Sequence, residues 1–185
     1  MEFYDHSKLK GMHAFLGASK SSWTNYDDEK FDRVYTNMLA AARGTELHAL
    51  AFDLIRLGVK LPRSPKTLNM YVNDVISFRM VPEQVLFYSE NAFGTADAIK
   101  FVKNRLMIFD LKTGITPAHM RQLEIYVAFF CLEYRVNPRE IEIELRIYQN
   151  DDIEFLAPDP EDILKIMDLI INFDKRINVI REKVL

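Results

Sequence analysis

The residues best suited to chemistry stand at the end of one apolar run, Arg105-Leu-Met-Ile-Phe-Asp110-Leu-Lys112-Thr-Gly114. The run favours a β-strand. Side chains alternate along a strand, so Asp110 and Lys112 point to the same face. The unbroken apolar stretch before them suggests a strand buried on both sides, in the middle of a sheet. A charged pair at the end of such a strand is costly unless it is paired, hydrated or bound to a metal. Two readings follow: a salt bridge at the sheet edge, or a metal-binding carboxylate beside a lysine that helps to activate a water.

Three more short patterns surround this one. Gly44-Thr-Glu-Leu-His48 falls in a helical stretch, Gly94-Thr-Ala-Asp97 opens a strand, and Gln122-Leu-Glu-Ile-Tyr126 lies on a later helix. Each has an ordinary explanation when taken alone. A single helical histidine is more often packed or solvated than a ligand. Asp97 could pair with Lys100 or Lys112. Gln122 and Tyr126 are four apart, hence on one helix face, and could be packing with a hydrogen bond.

The elements that would position these residues follow from periodicity. Leu16 to Trp23 reads as a loop entering a short helix, with Ser19 as its cap and Trp23 packed. A helix follows from about Asp28 to Leu57, its Val34, Met38, Ala41, Leu47, Leu50, Ala51 and Leu54 at helical spacing, with Gly44 a point of interruption. A turn-rich basic loop spans 58–66, and Leu68 to Arg79 traces an amphipathic helix. Strands are expected over Glu83–Ser89, Thr95–Val102 and the Arg105 run, joined by a turn at Glu90–Gly94 and a tight one at Lys103-Asn104. A long helix from Pro117 to Tyr134 has proline in its first turn. Arg139 to Tyr148 alternates as a half-exposed strand, and a short strand ends at Phe155. Pro158-Asp-Pro160 then introduces a last helix, to about Lys183. The expected fold is α/β: a mixed central sheet with a three-strand antiparallel meander and flanking helices. It is read as a single domain, residues 1–185. Residues 1–80 are mainly helical, 81–156 hold the sheet and crossover helix, and 157–185 the C-terminal helix.

Composition narrows the class. At 185 residues, 49% hydrophobic and 28% charged, the chain can bury a substantial core, rich in aromatics. Its single cysteine, Cys131, excludes an internal disulfide and any four-cysteine cluster within one chain. No apolar run reaches spanning length and no signal-peptide pattern opens the chain, so an intracellular, soluble protein without a membrane partner is expected. The net charge of −3 does not advertise a nucleic-acid binder, but the distribution of charge matters more than its sum when acids are gathered at a metal.

Taken together, the order and spacing of the four patterns resemble the RecB-like branch of the PD-(D/E)XK nuclease superfamily. That branch also holds the CRISPR-associated adaptation nucleases and many viral exonucleases. The resemblance spans residues 44 to 126 and implies a restriction-endonuclease-like core. It implies that Asp97, Asp110 and Lys112 are catalytic. His48, Asp97, Asp110 and the Leu111 carbonyl would hold the metal. Two aspartates suit Mg²⁺ or Mn²⁺, and the histidine nitrogen favours Mn²⁺. Lys112 would orient or deprotonate the attacking water. Gln122 and Tyr126 would hold the DNA backbone or brace the site, with Arg121 and His119 nearby and Glu83 supporting from behind.

The iron–sulfur members of the branch carry four cysteines, so no iron–sulfur cluster is expected here. The chain also has no phosphate loop for a helicase motor, which leaves unwinding to a partner. Basic residues for phosphates are Lys60, Arg63 and Lys66 in one loop, and Lys100, Lys103 and Arg105 around a hairpin, although a solvated surface explains the hairpin group equally well. The acidic stretch from Glu140 to Asp162 is expected to face away from DNA. The function implied is a metal-dependent deoxyribonuclease, more an exonuclease of replication, repair or recombination. Its partners would be DNA, a helicase or recombination protein, and further copies of itself as a homo-oligomer. Its small size suggests a virus or mobile element, acting in the cytoplasm of a bacterial host or at its nucleoid. The rival reading is a nuclease-fold module that binds DNA or protein without cutting.

Overall fold

The structure is a computed structural model and describes residues 4–184. The outermost residues of the expected 1–80 and 157–185 segments lie outside them. The order of elements is α1 (Asp28–Leu57), α2 (Thr67–Phe78), β1 (Val81–Ser89), β2 (Ala92–Val102), β3 (Arg105–Leu111), α3 (Arg121–Tyr134), β4 (Glu142–Gln149), β5 (Asp152–Leu156) and α4 (Pro160–Val184). The chain divides into two compact units, residues 1–42 and 43–185, with the boundary inside α1.

In the first unit Phe15 packs edge-on against Phe31 and Tyr35, at 5.5 and 5.1 Å between centroids. Trp23 is half-buried and donates its indole N–H to the Gly17 carbonyl at 3.1 Å. Ser19 does not cap. The short 3₁₀ turn is Ser21–Asn25, and its N-cap is Lys20, whose side chain makes no capping bond.

The second unit is α/β. Its five-stranded mixed sheet runs β1-β2-β3-β4-β5. The first three strands form the antiparallel meander, β3 and β4 pair in parallel through the α3 crossover, and β4 and β5 form a hairpin. The β2–β3 turn is tight because Lys103 and Asn104 both take positive φ, 50° and 59°, matching the strand twist. β3 is central and is buried from Leu106 to Leu111. Its Leu106 and Ile108 enter a core with Leu123, Val127 and Cys131 of α3 and Ile163 of α4. Its Met107, Phe109 and Leu111 enter another with Ala51 of α1 and Tyr71, Val72 and Val75 of α2. A fully buried leucine or valine contributes about 1.5–3 kcal/mol, so the two layers fix β3 from both sides.

Several boundaries differ from the sequence reading. α1 is continuous through Gly44, and Met38 and Leu50 are exposed in spite of their spacing. β2 begins at Ala92, so Gly94 lies within the strand and the turn shrinks to Glu90-Asn91. β4 begins at Glu142, after a 3₁₀ turn at Pro138–Glu140. α3 begins at Arg121, not Pro117. Residues 114–118 are instead held by the Gln149 side chain, whose amide donates to the Gly114 and Thr116 carbonyls at 2.5 and 2.8 Å and accepts from the Ala118 N–H at 2.9 Å.

Candidate functional site

β2 leaves β3 at Asp97. The β2–β3 ladder pairs Ala98 with Phe109, and one step further Asp97 would face Asp110. On the other side, the β1–β2 ladder pairs Pro82 with Ala98 and Gln84 with Ala96 but skips Glu83 and Asp97. Glu83 has φ 51°, a left-handed conformation inside a strand. For a residue with a side chain this costs about 1–3 kcal/mol, and such outliers gather at functional sites. Three carboxylates therefore meet where the pairing opens.

Two motif glycines let helices close on this opening. A Cβ on Gly44 would lie 2.6 Å from Thr113 Oγ1, and a Cβ on Gly94 2.9 Å from Tyr126 Cε1. The first approach seats α1 on the residues after β3, with His48 one turn further along the same face. The second seats α3 on β2.

His48 Nδ1 lies 3.5 Å from Asp97 Oδ2, a contact longer than a good hydrogen bond. The same oxygen accepts the Leu111 peptide N–H at 2.9 Å, so the N–H of Leu111 is what orients Asp97. Neither Lys100 nor Lys112 is the partner that the simple reading gave Asp97. Lys100 donates to the Phe78 carbonyl. Lys112 Nζ donates to Asp110 Oδ1 at 3.2 Å and to Gln122 Oε1 at 2.9 Å, and Gln122 Nε2 donates to the Tyr126 hydroxyl at 2.8 Å. A chain of contacts thus joins Asp110, Lys112, Gln122 and Tyr126.

Among the described residues, His48, Glu83 and Asp97 each offer a ligand atom, all within 4.8 Å of one another. Glu83, expected only in a supporting place, stands in this triad. Asp110 stands behind it, 1% exposed. Lys112 Nζ lies 2.9 Å from Asp110 Oδ2, which is ion-pair distance without hydrogen-bond geometry, so that buried oxygen has no hydrogen-bond donor. Burial, then the Asp97 charge, pushes the Asp110 carboxyl up to about 6, although Lys112 and His48 pull it down. Burial and Asp97 also raise Glu83. Tyr71, read from sequence only as one face of a helix, is buried near these acids. Its phenol is raised by burial and then by Asp97, Asp110 and Glu83.

Arg121 does not join this group. It pairs with Glu124 at 3.1 Å and lines a groove between α3 and α4. His119 is exposed. Most of the other basic residues singled out for phosphates are engaged elsewhere. Lys66 pairs with Asp151 at 2.8 Å, Arg105 with Glu144, and Lys60 donates to Ser77 Oγ at 2.8 Å, whereas Arg63 and Lys103 make no ion pair among the described residues. A cleft of about 360 Å³ does run beside the site, lined by Arg43, Lys66, Lys112, Thr113 and Gly114 among others. Cys131 packs in the α3 core, its thiol pushed up to about 12 by burial. No helix among the described residues is long and apolar enough to cross a membrane.

The chain has no counterpart in the comparisons with known proteins: no family model matches it, and neither does any curated protein or solved structure.

Proposed function

We propose that this protein is a divalent-metal-dependent deoxyribonuclease of the RecB-like PD-(D/E)XK type, acting on DNA ends. The observation that carries the reading is the charge imbalance at the opened ladder. Three carboxylates, Glu83, Asp97 and Asp110, stand against one ammonium, Lys112, with His48 beside them. Counted formally, three acids against one lysine leave −2 in a partly buried place, together with a buried Asp110 oxygen that no donor satisfies. Such an arrangement is costly by itself and suits a divalent cation.

The donor set fits Mg²⁺ or Mn²⁺: hard carboxylate oxygens and one imidazole. His48, Glu83, Asp97 and Asp110 would hold the ion, with the Leu111 carbonyl as the further ligand that the resemblance implies. When bound, it would acidify a water and offset charge on the phosphate.

The chain's own residues supply the rest. Lys112 is fixed between Asp110 and Gln122, so its ammonium can hold or pass a proton beside the scissile phosphate without losing orientation. Gln122 and Tyr126 act through Lys112, as positioning residues. The Leu111 N–H keeps Asp97 turned towards His48. In the cleft beside the site Arg43 and Lys112 offer positive charge for the DNA backbone, while Lys66 is held by Asp151 of the same lining.

The test is incubation of the purified chain with end-labelled linear and circular DNA in Mn²⁺, Mg²⁺ or chelator. Metal-dependent loss of linear DNA alone is the expected result. Cutting of circles would make it an endonuclease. Binding without cutting in either metal would overturn the reading in favour of a DNA-binding module.

A further inference from the structure

The first unit holds charges and rings that the chemistry at the ladder opening does not use. From His6 to Tyr26 the chain carries three lysines, two histidines and no acid, interleaved with Phe15, Trp23 and Tyr26. The acids at either end of this stretch are engaged locally. Asp5 accepts from the Ser7 N–H at 2.8 Å, and Asp27 accepts from the Lys30 N–H at 2.8 Å where α1 begins. Lys8, Lys10 and Lys20 are exposed and make no ion pair among the described residues.

With Val34 and Met38 of α1, the same stretch forms a pocket of about 610 Å³. Its lining includes Met12, His13, Lys20, Trp23 and Tyr26, and no carboxylate. At about 100° per residue, Glu29 and Asp32 sit about 120–180° round α1 from Val34 and Met38, and Asp28 about 80–120° round. Trp23 and Tyr26 are half-buried, so each ring is partly packed and partly open. Both rings are also tied in place. The Trp23 indole N–H is held by the Gly17 carbonyl at 3.1 Å, and the Tyr26 hydroxyl lies 3.3 Å from Ser22 Oγ. The Lys30 ammonium stands 4.7 Å from the Tyr26 ring centroid. Rings fixed in advance lose little freedom when a ligand arrives.

Fixed aromatic rings beside unpaired ammonium groups suit a flat π-faced group joined to an anion. An unpaired nucleotide strand offers both, a base to stack and a phosphate to neutralise. A duplex offers the phosphates, but its base faces are covered by one another. An acidic peptide offers charge without the ring. We propose that the first unit binds single-stranded DNA, with a base stacked on Trp23 in this pocket and phosphates met by Lys8, Lys10 and Lys20. Lys20 lines the pocket itself, and Lys10 stands two residues before Met12 of the lining, within about 7 Å of chain. The binding does not depend on the chemistry proposed for the metal site.

Trp23 is the only tryptophan, so its emission reports on this pocket alone. The test titrates the full chain with oligothymidine in chelator, where no metal-dependent cleavage competes. Tryptophan quenching should saturate together with the anisotropy of the fluorescein-labelled strand. The same strand annealed to its complement should leave the emission nearly unchanged. By anisotropy, Trp23→Ala should bind the strand at least about tenfold more weakly, and Trp23→Phe, which keeps a ring, within about threefold of the wild type. Replacing Lys8, Lys10 and Lys20 together by alanine should lower the slope of log affinity against log salt by about 2. These lysines are exposed, so circular dichroism and the emission of the free variant should match the wild type even where Trp23→Ala does not fold. Strand binding without quenching overturns the proposal and leaves the nuclease reading standing. Equal quenching by the duplex overturns it, as does an unchanged salt slope in the lysine variant, or no binding at all. Quenching without cleavage in either metal would uphold it while the nuclease reading fails.

Discussion

Around Arg146, every charge has its answer. The guanidinium meets Glu144 at 2.5 Å and Asp74 at 3.2 Å, and Glu144 also takes Arg105. Tyr148 donates to Asp74 at 2.7 Å. Three rings, Phe78, Phe109 and Phe155, lie 4.5–5.0 Å from the guanidinium carbon. Two acids meet two arginines, and hydrogen bonding to Arg105 and Arg146 holds the Glu144 carboxyl low despite its burial. Around Asp110, a few residues away on the same sheet, three acids share one lysine, burial drives the Asp110 and Glu83 carboxyls up, and an oxygen goes without a donor. Both clusters set carboxylates against basic side chains, with a tyrosine in each. The first is closed and serves the fold; the second is left open at a cost, and the open one coincides with the skipped ladder positions and the left-handed Glu83.

The contrast breaks most sharply at Asp97. Asp97→Ala removes an acid held by the Leu111 N–H in the middle of the triad. Cleavage should fall below detection, and calorimetry should show Mn²⁺ affinity reduced by more than about tenfold. Unchanged Mn²⁺ binding would remove Asp97 from the metal. Lys112→Ala comes next. An ammonium has no lone pair to give, so metal binding should be kept or slightly strengthened. Single-turnover cleavage should fall by about 10²- to 10⁴-fold, the usual worth of general acid–base catalysis. Arginine should not rescue it, because guanidinium does not give up a proton. Cleavage at the wild-type rate would reduce Lys112 to a structural partner of Asp110.

The closed cluster should respond in stability rather than in chemistry. Arg146→Ala leaves Glu144 and Asp74 without their shared cation and opens a space among three rings. Breaking a buried pair from one side costs about 3–5 kcal/mol, and Arg146, only 13% exposed, belongs towards the lower end because its partners are partly solvated. Urea titration should report that loss, while Mn²⁺ affinity in the folded protein stays unchanged. A change in Mn²⁺ affinity would mean that the two clusters are coupled through β3 and β4.

The parts of this arrangement that were legible in the sequence are those set by local chemistry. The β3 run, the Lys103-Asn104 turn and the Pro158-Asp-Pro160 break each announce themselves within a few residues. The alignment of Lys112 with Asp110, and of Gln122 with Tyr126, follows from strand and helix periods alone. What was not legible depended on distant partners. Pro117 gave a good helix start, but residues 114–118 are claimed by Gln149, which periodicity does not connect to them. Gly44 read as an interruption because the atom it makes room for, Thr113 Oγ1, is far along the chain. Glu83 enters the triad through a ladder irregularity that no residue type signals. The spacing of Met38 and Leu50 described apolar periodicity, and periodicity alone did not bury them.

The smallest effect comes from the open cluster's own cost. Asp110 is raised to about 6 from an ordinary 3.8, chiefly by burial and then by Asp97. The folded chain therefore binds this proton more tightly than the unfolded one. Between about pH 4 and pH 6 the folded state keeps a proton that the unfolded state releases, so stability falls as pH rises through that window. Above about pH 6 the penalty is fully developed, and below about pH 4 it is absent. Asp110→Asn cannot ionise, so with chelator present it should be more stable than the wild type above about pH 6, by on the order of 1 kcal/mol, and no more stable below about pH 4. The gain is small because Asn leaves Lys112 without its counter-charge, which returns part of the cost. Saturating Mn²⁺ should reverse the order, because the wild type gains binding energy through the carboxylate that the variant lacks. Thermal melts of both proteins at about pH 4 and pH 7, with and without Mn²⁺, separate these contributions. A variant less stable than the wild type at about pH 7 in chelator would show Asp110 to be a net stabilising ion pair, and the two clusters would then be built alike.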